Sequence, residues 1–128
     1  MPHPSKTKGN RLEQEVTKDL RQFFPFAKTS RQASRLLDNC KIDIANVPFL
    51  IQCKSGYIDR RPKFEVLFNE TKNLLKENVP PDDNLHKLPF VLVHKLNGTK
   101  GKTQPELKQV TMSYDLFLTL IEKTFNPK

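Results

Sequence analysis

The chain is poor in the features that would point to a membrane, a secretory route or a metal–thiolate centre. Its 128 residues hold no apolar run approaching the roughly 18–20 needed to span a bilayer, so no membrane partner is expected. The opening residues, "MPHPSKTKGN", lack the apolar segment of a secretory signal, and a cytoplasmic setting is expected. The two cysteines, Cys40 and Cys53, and the three histidines, His3, His86 and His94, have no zinc-site spacing. The cysteines read as reduced, half-buried thiols beside or within strands. There is no internal repeat and no low-complexity tract. The aromatic residues are mainly phenylalanines at core spacing, which argues against a platform for stacking bases.

What is abundant is positive charge. Lysine and arginine number 22 against 14 acids, a formal charge of +8. On a chain of single-domain size, that excess is the footprint expected of a polyanion binder. Apolar residues make up 36% and are clustered, which suits one compact core with polar tails.

Residues 1–9 hold two prolines and three basic groups and read as a mobile basic arm, leaving 10–126 as the folded domain. Leu12, Val16, Leu20 and Phe23/Phe24 recur at helical spacing, and Pro25 ends that helix. Residues 26–32 could form a short strand, followed by a polar, basic loop, "SRQASRLLDN". Two strands, 41–46 and 49–54, are then joined by a tight turn at Asn46-Val47-Pro48. Beyond a basic linker, Phe64, Leu67/Phe68, Thr71 and Leu74/Leu75 define a second helix. "LPFVLVHKL" is a buried strand, "NGTKGKTQ" a basic hairpin tip and "ELKQVTMS" a weaker strand. Ser113 is placed to N-cap a last helix over Leu116, Phe117, Leu120 and Ile121. The expected fold is α/β, with a central mixed sheet covered by helices.

The stretch "KIDIANVPFLIQCKSG" carries polar groups where plain core strands would not. With the turn centred on Val47, Asp43 lies across from Ile51 or Gln52, and Gln52 and Lys54 share one strand face. A carboxylate, an amide oxygen and an ammonium then converge on a small patch. Hard cations such as Mg²⁺ take oxygen ligands, and Asp43, Gln52 and the Cys53 carbonyl could supply them. Lys54 would stand beside the attacking water and offset charge developing on a phosphate. The bland alternative is an exposed Asp43 on an edge strand and a solvated Lys54.

"KGNRLEQEVTKDL", "KIDIA" and "FLIQCKSG" resemble the three blocks of the PD-(D/E)xK nuclease superfamily, and most nearly the archaeal-type Holliday junction resolvases and the Mrr-type nucleases. The resolvase start, Lys-Gly with a glutamate four residues on, matches Lys8-Gly9-x-x-x-Glu13. The Asp block falls on Asp43, and the (D/E)xK block on Gln52-Cys53-Lys54. The resemblance implies a restriction-endonuclease-like αβββαβ core and a Mg²⁺ site, Mn²⁺ substituting, on Glu13, Asp43, Gln52 and Cys53. It also implies a loop serine, carried onto Ser34 with Ser30 as the other candidate. Gln52 departs from the usual Glu, as in the Mrr type, and the loop lacks the family's glycine. Glu13 has a competing reading, since Asn10-x-x-Glu13 is also a capping-box pattern. Glu15 is the neighbouring acid at the wrong offset.

The expectation is therefore a metal-dependent endodeoxyribonuclease acting on branched DNA, foremost four-way junctions, in recombination or repair. Resolvases of this type are homodimers, because a two-fold junction needs two symmetric nicks. Lys8, Arg11, Arg31, Arg35, Arg60, Arg61 and Lys63 are the candidate DNA contacts, with Lys100 and Lys102 in the hairpin tip. The alternatives are an Mrr-like or repair endonuclease on other DNA, and an inactive DNA-binding module that keeps the fold.

Overall fold

A computed structural model describes residues 4–57, 62–97 and 107–126, with side chains throughout except at residues 4–10, 57, 96 and 97. The described residues form five α-helices and five strands, interspersed along the chain. Helix α1 spans Pro4–Leu20, strand β1 Lys28–Thr29, and two short helices follow, α2 (Ser30–Ala33) and α3 (Arg35–Asn39). Strands β2 (Ile44–Ala45) and β3 (Leu50–Tyr57) lead into α4 (Phe64–Asn78), a 3₁₀ turn at Asn84–Lys87, β4 (Phe90–Asn97), β5 (Leu107–Thr111) and α5 (Tyr114–Phe125).

The strands form one mixed sheet in the order β1-β2-β3-β4-β5. Only β3 and β4 are parallel, in register from Leu50↔Phe90 to Tyr57↔Asn97, and α4 provides the crossover a parallel pair requires. A parallel pair is covered on both faces, so its strands read as near-continuous apolar runs. Alternation then splits the core in two. Ile51, Cys53, Val91 and Val93 pack under Leu12 and Val16 of α1. Leu50, Phe90 and Leu92 pack under Leu75 of α4 and Val79 just beyond it. Phe64 and Phe68 fix α4 to the sheet by meeting the Phe90 ring edge-on, at centroid distances of 5.5 and 5.8 Å.

Three local expectations change. The basic arm does not end at residue 9: α1 begins at Pro4, a residue tolerated in the first helical turn because its missing N–H would be unpaired there anyway. The "polar loop" folds into α2 and α3, because Ser34 Oγ accepts from Leu37 N–H (3.2 Å) and starts α3. The strands expected over 26–32 and 41–46 shrink to two residues each. Lys41 and Asn46, at φ 63° and 66°, turn the chain at either end of the segment carrying Asp43. Asn tolerates that left-handed region and Lys does not, so the turn at Lys41 is locally strained. The Asn46 turn, the α4 helix, the β4 strand and the Ser113 cap are as expected. Ser113 Oγ accepts from Leu116 N–H at 3.1 Å.

No helix among the described residues is long and apolar enough to cross a membrane. Helix α5 has no buried residue, and its outer side leaves Tyr114, Phe117, Leu118, Ile121 and Phe125 exposed.

Candidate active site

The site forms where β2 leaves β3. Regular pairing stops at Ile44↔Ile51, and Asp43 continues the contact by other means. Its N–H donates to Ile51 O (2.7 Å), its carbonyl accepts from Ser30 N–H (2.8 Å), and its Oδ2 accepts from Cys53 N–H (2.7 Å). A side-chain carboxylate thus takes the place of the missing strand partner. That fixes its position from three sides.

Glu13 comes from α1. Leu12 and Val16 bury the face of the helix that packs on β3 and β4, and Glu13 beside them is carried inward to 6% exposure. Because α1 starts at Pro4, residue 10 lies inside the helix rather than at its N-cap position, where a capping box would need it. The Glu13 carboxylate instead lies 3.5 Å from the Arg31 guanidinium. Glu15 points elsewhere, toward Lys108 (3.7 Å) and Lys95 (4.0 Å), and ties α1 to β5 and β4.

The two acids feel each other. Burial, then the charge of Asp43, push the Glu13 carboxyl up to about 7, with Arg31 opposing and Asp38 adding to the rise. Burial pushes Asp43 up to about 6, against the Cys53 N–H bond and the charge of Lys54. Two carboxylates brought out of water without enough positive charge hold protons that solvated acids would have lost. Lys54, in the middle of β3 with an exposed side chain, lowers both acids, so its ammonium lies within electrostatic reach of the pair.

Alternation puts Gln52 on the α4 side of the sheet, with Leu50 and Leu92, whereas α1 covers the opposite face. Gln52 is 3% exposed, and its Oε1 makes no hydrogen bond with any described residue. The structure therefore gathers Glu13, Asp43, Lys54 and Arg31, while Gln52 offers a buried acceptor one residue from the Cys53 amide that Asp43 holds. Burial and the charges of Asp43 and Glu13 push the Cys53 thiol well above its usual range, so this residue can offer its carbonyl but no thiolate.

No group of three or more His, Cys, Asp or Glu side chains among the described residues is arranged to hold a metal. The set expected here has only two such side chains, and its other donors are an amide and a carbonyl oxygen. One observation fits a hard cation at this place: after burial, the charge of Asp43 adds to the rise of Glu13, a repulsion that a cation would relieve.

The loop serine resolves differently from the expectation. Ser34 spends its hydroxyl capping α3, whereas Ser30 is fully buried, bonded through its N–H to Asp43, and its Oγ has no partner among the described residues. Of the candidate DNA contacts, Arg11, Arg35 and Lys63 are exposed, and Arg31 is turned onto Glu13. Lys8 lies on α1 with its side chain outside the description. Arg60, Arg61, Lys100 and Lys102 lie outside the described residues.

Two features escaped the sequence reading. Asp38 belongs to the field around the acids, which no spacing rule reveals. Phe23, expected on the first helix, and Phe26, in the expected strand over 26–32, are 73% and 78% exposed. Helix α1 ends at Leu20, short of the stop expected at Pro25, so neither ring lies on its buried face. Comparison of the chain with protein-family models, curated proteins and solved structures finds no match.

Proposed function

We propose that the chain is a Mg²⁺-dependent, structure-specific DNA endonuclease with a restriction-endonuclease-like fold, acting at four-way junctions as a Holliday junction resolvase. The observation that carries this reading is the pair of buried Glu13 and half-buried Asp43 at the β2–β3 fork, within reach of an exposed lysine. The element order α-β-β-β-α-β through β4, leaving aside the short helices α2 and α3, supports it, as does the +8 charge.

Glu13, Asp43 and the Cys53 carbonyl would hold the ion, whereas Gln52 lies on the α4 side of the sheet, away from Glu13. When bound, it polarises a phosphoryl oxygen and lowers the pKa of an attacking water. Asp43 is fixed beforehand by its bond to Cys53 N–H, so little reorganisation is left for the reaction. Lys54, exposed on β3, would orient the nucleophile and offset charge growing on the phosphate oxygens. Arg31 holds the Glu13 carboxylate in place and lowers its proton affinity. A homodimer supplies the second nick, and the exposed outer side of α5 is the surface we assign to it.

The test is cleavage by purified protein of a four-way junction, nicked duplex, single strand and linear duplex, with Mg²⁺ or Mn²⁺. Paired symmetric incisions confined to the junction are expected. Equal cutting of linear duplex would move the assignment to an Mrr-like or repair nuclease. The second reading is a non-catalytic DNA-binding module, favoured by the amide at Gln52 and the Arg31 contact on Glu13. Failure to cut any DNA with either metal would select it.

A further inference from the structure

Beside the acid pair, α1 and the β1–α2 segment enclose a cleft of about 310 Å³ lined by Gln14, Thr17, Lys18, Arg21, Thr29 and Gln32. Its wall meets the site at Thr17, one turn on from Glu13, whose Oγ1 donates to the Glu13 carbonyl (2.6 Å). Gln14, Lys18 and Arg21 fall on one stripe of the helix. At the far end, the chain turns through "RQFFPFAK".

That turn is pinned. Arg21 Nε donates to Ala27 O (2.9 Å), and Asn46 Nδ2 donates to Phe26 O (2.9 Å). Ala27 N–H donates to Phe24 O (2.9 Å), with Ala27 fully buried and Phe24 packed against the core. Phe23 and Phe26 project from this rigid turn into solvent, between the exposed cations Arg21 and Lys28. Two exposed aromatic rings on a backbone pinned beside cations suit a planar ring on a polyanion, because little backbone ordering entropy remains to be lost on binding.

We propose that this cleft and turn form one DNA-strand track. The cleft takes phosphates of the strand leading from the acid pair, and Phe23 and Phe26 receive an unpaired base at the branch. From Glu13 to Arg21 the helix rises about 12 Å, roughly three or four nucleotides at the rise of a duplex strand. The inference rests on the reading of the site as DNA-processing, yet it concerns binding and needs no turnover.

The experiment measures binding of the full chain, without divalent metal, to labelled splayed-arm DNA, four-way junction and flush duplex by fluorescence anisotropy. Stacking is worth about 1–3 kcal/mol per base, so Phe23→Ala/Phe26→Ala should weaken splayed-arm and junction binding by roughly tenfold or more. Flush duplex should change less than about twofold, and Phe23→Tyr/Phe26→Tyr should restore affinity. A 2-aminopurine at the branch should brighten on binding the wild type, as it leaves the DNA stack, and stay dim with the alanine pair. Lys18→Glu should weaken all three DNAs and lower the salt slope by about one.

Equal affinities of wild type and the folded alanine pair for every DNA would overturn the track. So would loss of self-association in the alanine pair with DNA affinity intact, since the rings would then serve a protein interface. A protein that cuts nothing yet discriminates these DNAs through Phe23 and Phe26 would sink the nuclease reading and leave the track standing. One that cuts junctions with both rings removed and unchanged affinity would sink the track alone.

Discussion

Strands β3 and β4 place Leu50, Ile51, Cys53, Phe90, Val91, Leu92 and Val93 in the core, whereas neither β5 nor α5 buries a single residue. Both regions are rich in apolar side chains, so composition does not separate them. The difference lies in how many sides are covered. The parallel pair has α1 over one face and α4 over the other. Helix α5 meets the core through Leu116 and turns an equally apolar side outward. The first region is over-determined, and it holds the acid pair; the second has surface to spare for another molecule.

The sharpest way to break this comparison is at the fork. Asp43→Asn should lower metal-dependent cleavage by at least about a hundredfold, as loss of a group that positions charge in a transition state does. Junction binding by anisotropy should stay within a few fold. An Asp43→Asn protein that cuts normally would remove the fork from the chemistry.

Packing gives the next largest contrast. Leu92→Ala should destabilise the fold by about 3 kcal/mol in urea unfolding, through a cavity that both neighbouring strands resist filling. Phe117→Ala, at 49% exposure, should change monomer stability by less than about 0.5 kcal/mol. Ile121→Glu should leave the fold intact and make the sedimentation coefficient independent of protein concentration. A Leu92→Ala protein as stable as Phe117→Ala would erase the distinction.

The acids themselves predict an unusual pH response. Glu13 rises from 4.5 to about 7 on folding and Asp43 from 3.8 to about 6, so the folded chain binds more protons over that interval. Stability contributed by the pair is therefore present at low pH and declines as pH rises from about 4 to about 7. Urea midpoints measured without metal should fall between pH 5 and pH 8 by less in Glu13→Gln than in wild type. Metal affinity should run the opposite way, rising with pH through about 7 as Glu13 loses its proton. At the cap, Ser113→Ala should cost about 1 kcal/mol, read as fraying of α5 by hydrogen exchange.

Much of the scaffold was legible beforehand. Leu12, Val16 and Leu20 announce a helix by their spacing, and the run around Phe90–Val93 announces a buried strand by its continuity. The Asn46 turn and the Ser113 cap follow from the local chemistry of single residues. Ser34 was misjudged because the same hydroxyl that suits a catalytic loop also suits a helix cap, and only the Leu37 amide decides between them. Phe23 was placed on the first helix because periodicity carries it on to Pro25, whereas α1 stops at Leu20.

The amino-acid sequence by itself determined the periodic elements, the excess of positive charge and the order of Glu13, Asp43 and Gln52-x-Lys54 along the chain. Each of these depends on interactions across a few residues. Only the tertiary structure decided that Asp43 completes a broken strand ladder, that Glu13 is raised by an acid thirty residues away (~30 by number, brought close by the packing of α1 on β3) and that Ser30 lies against Asp43. Electrostatic coupling and burial depend on distance through space, and the crossing of α1 over the β2–β3 fork sets that distance.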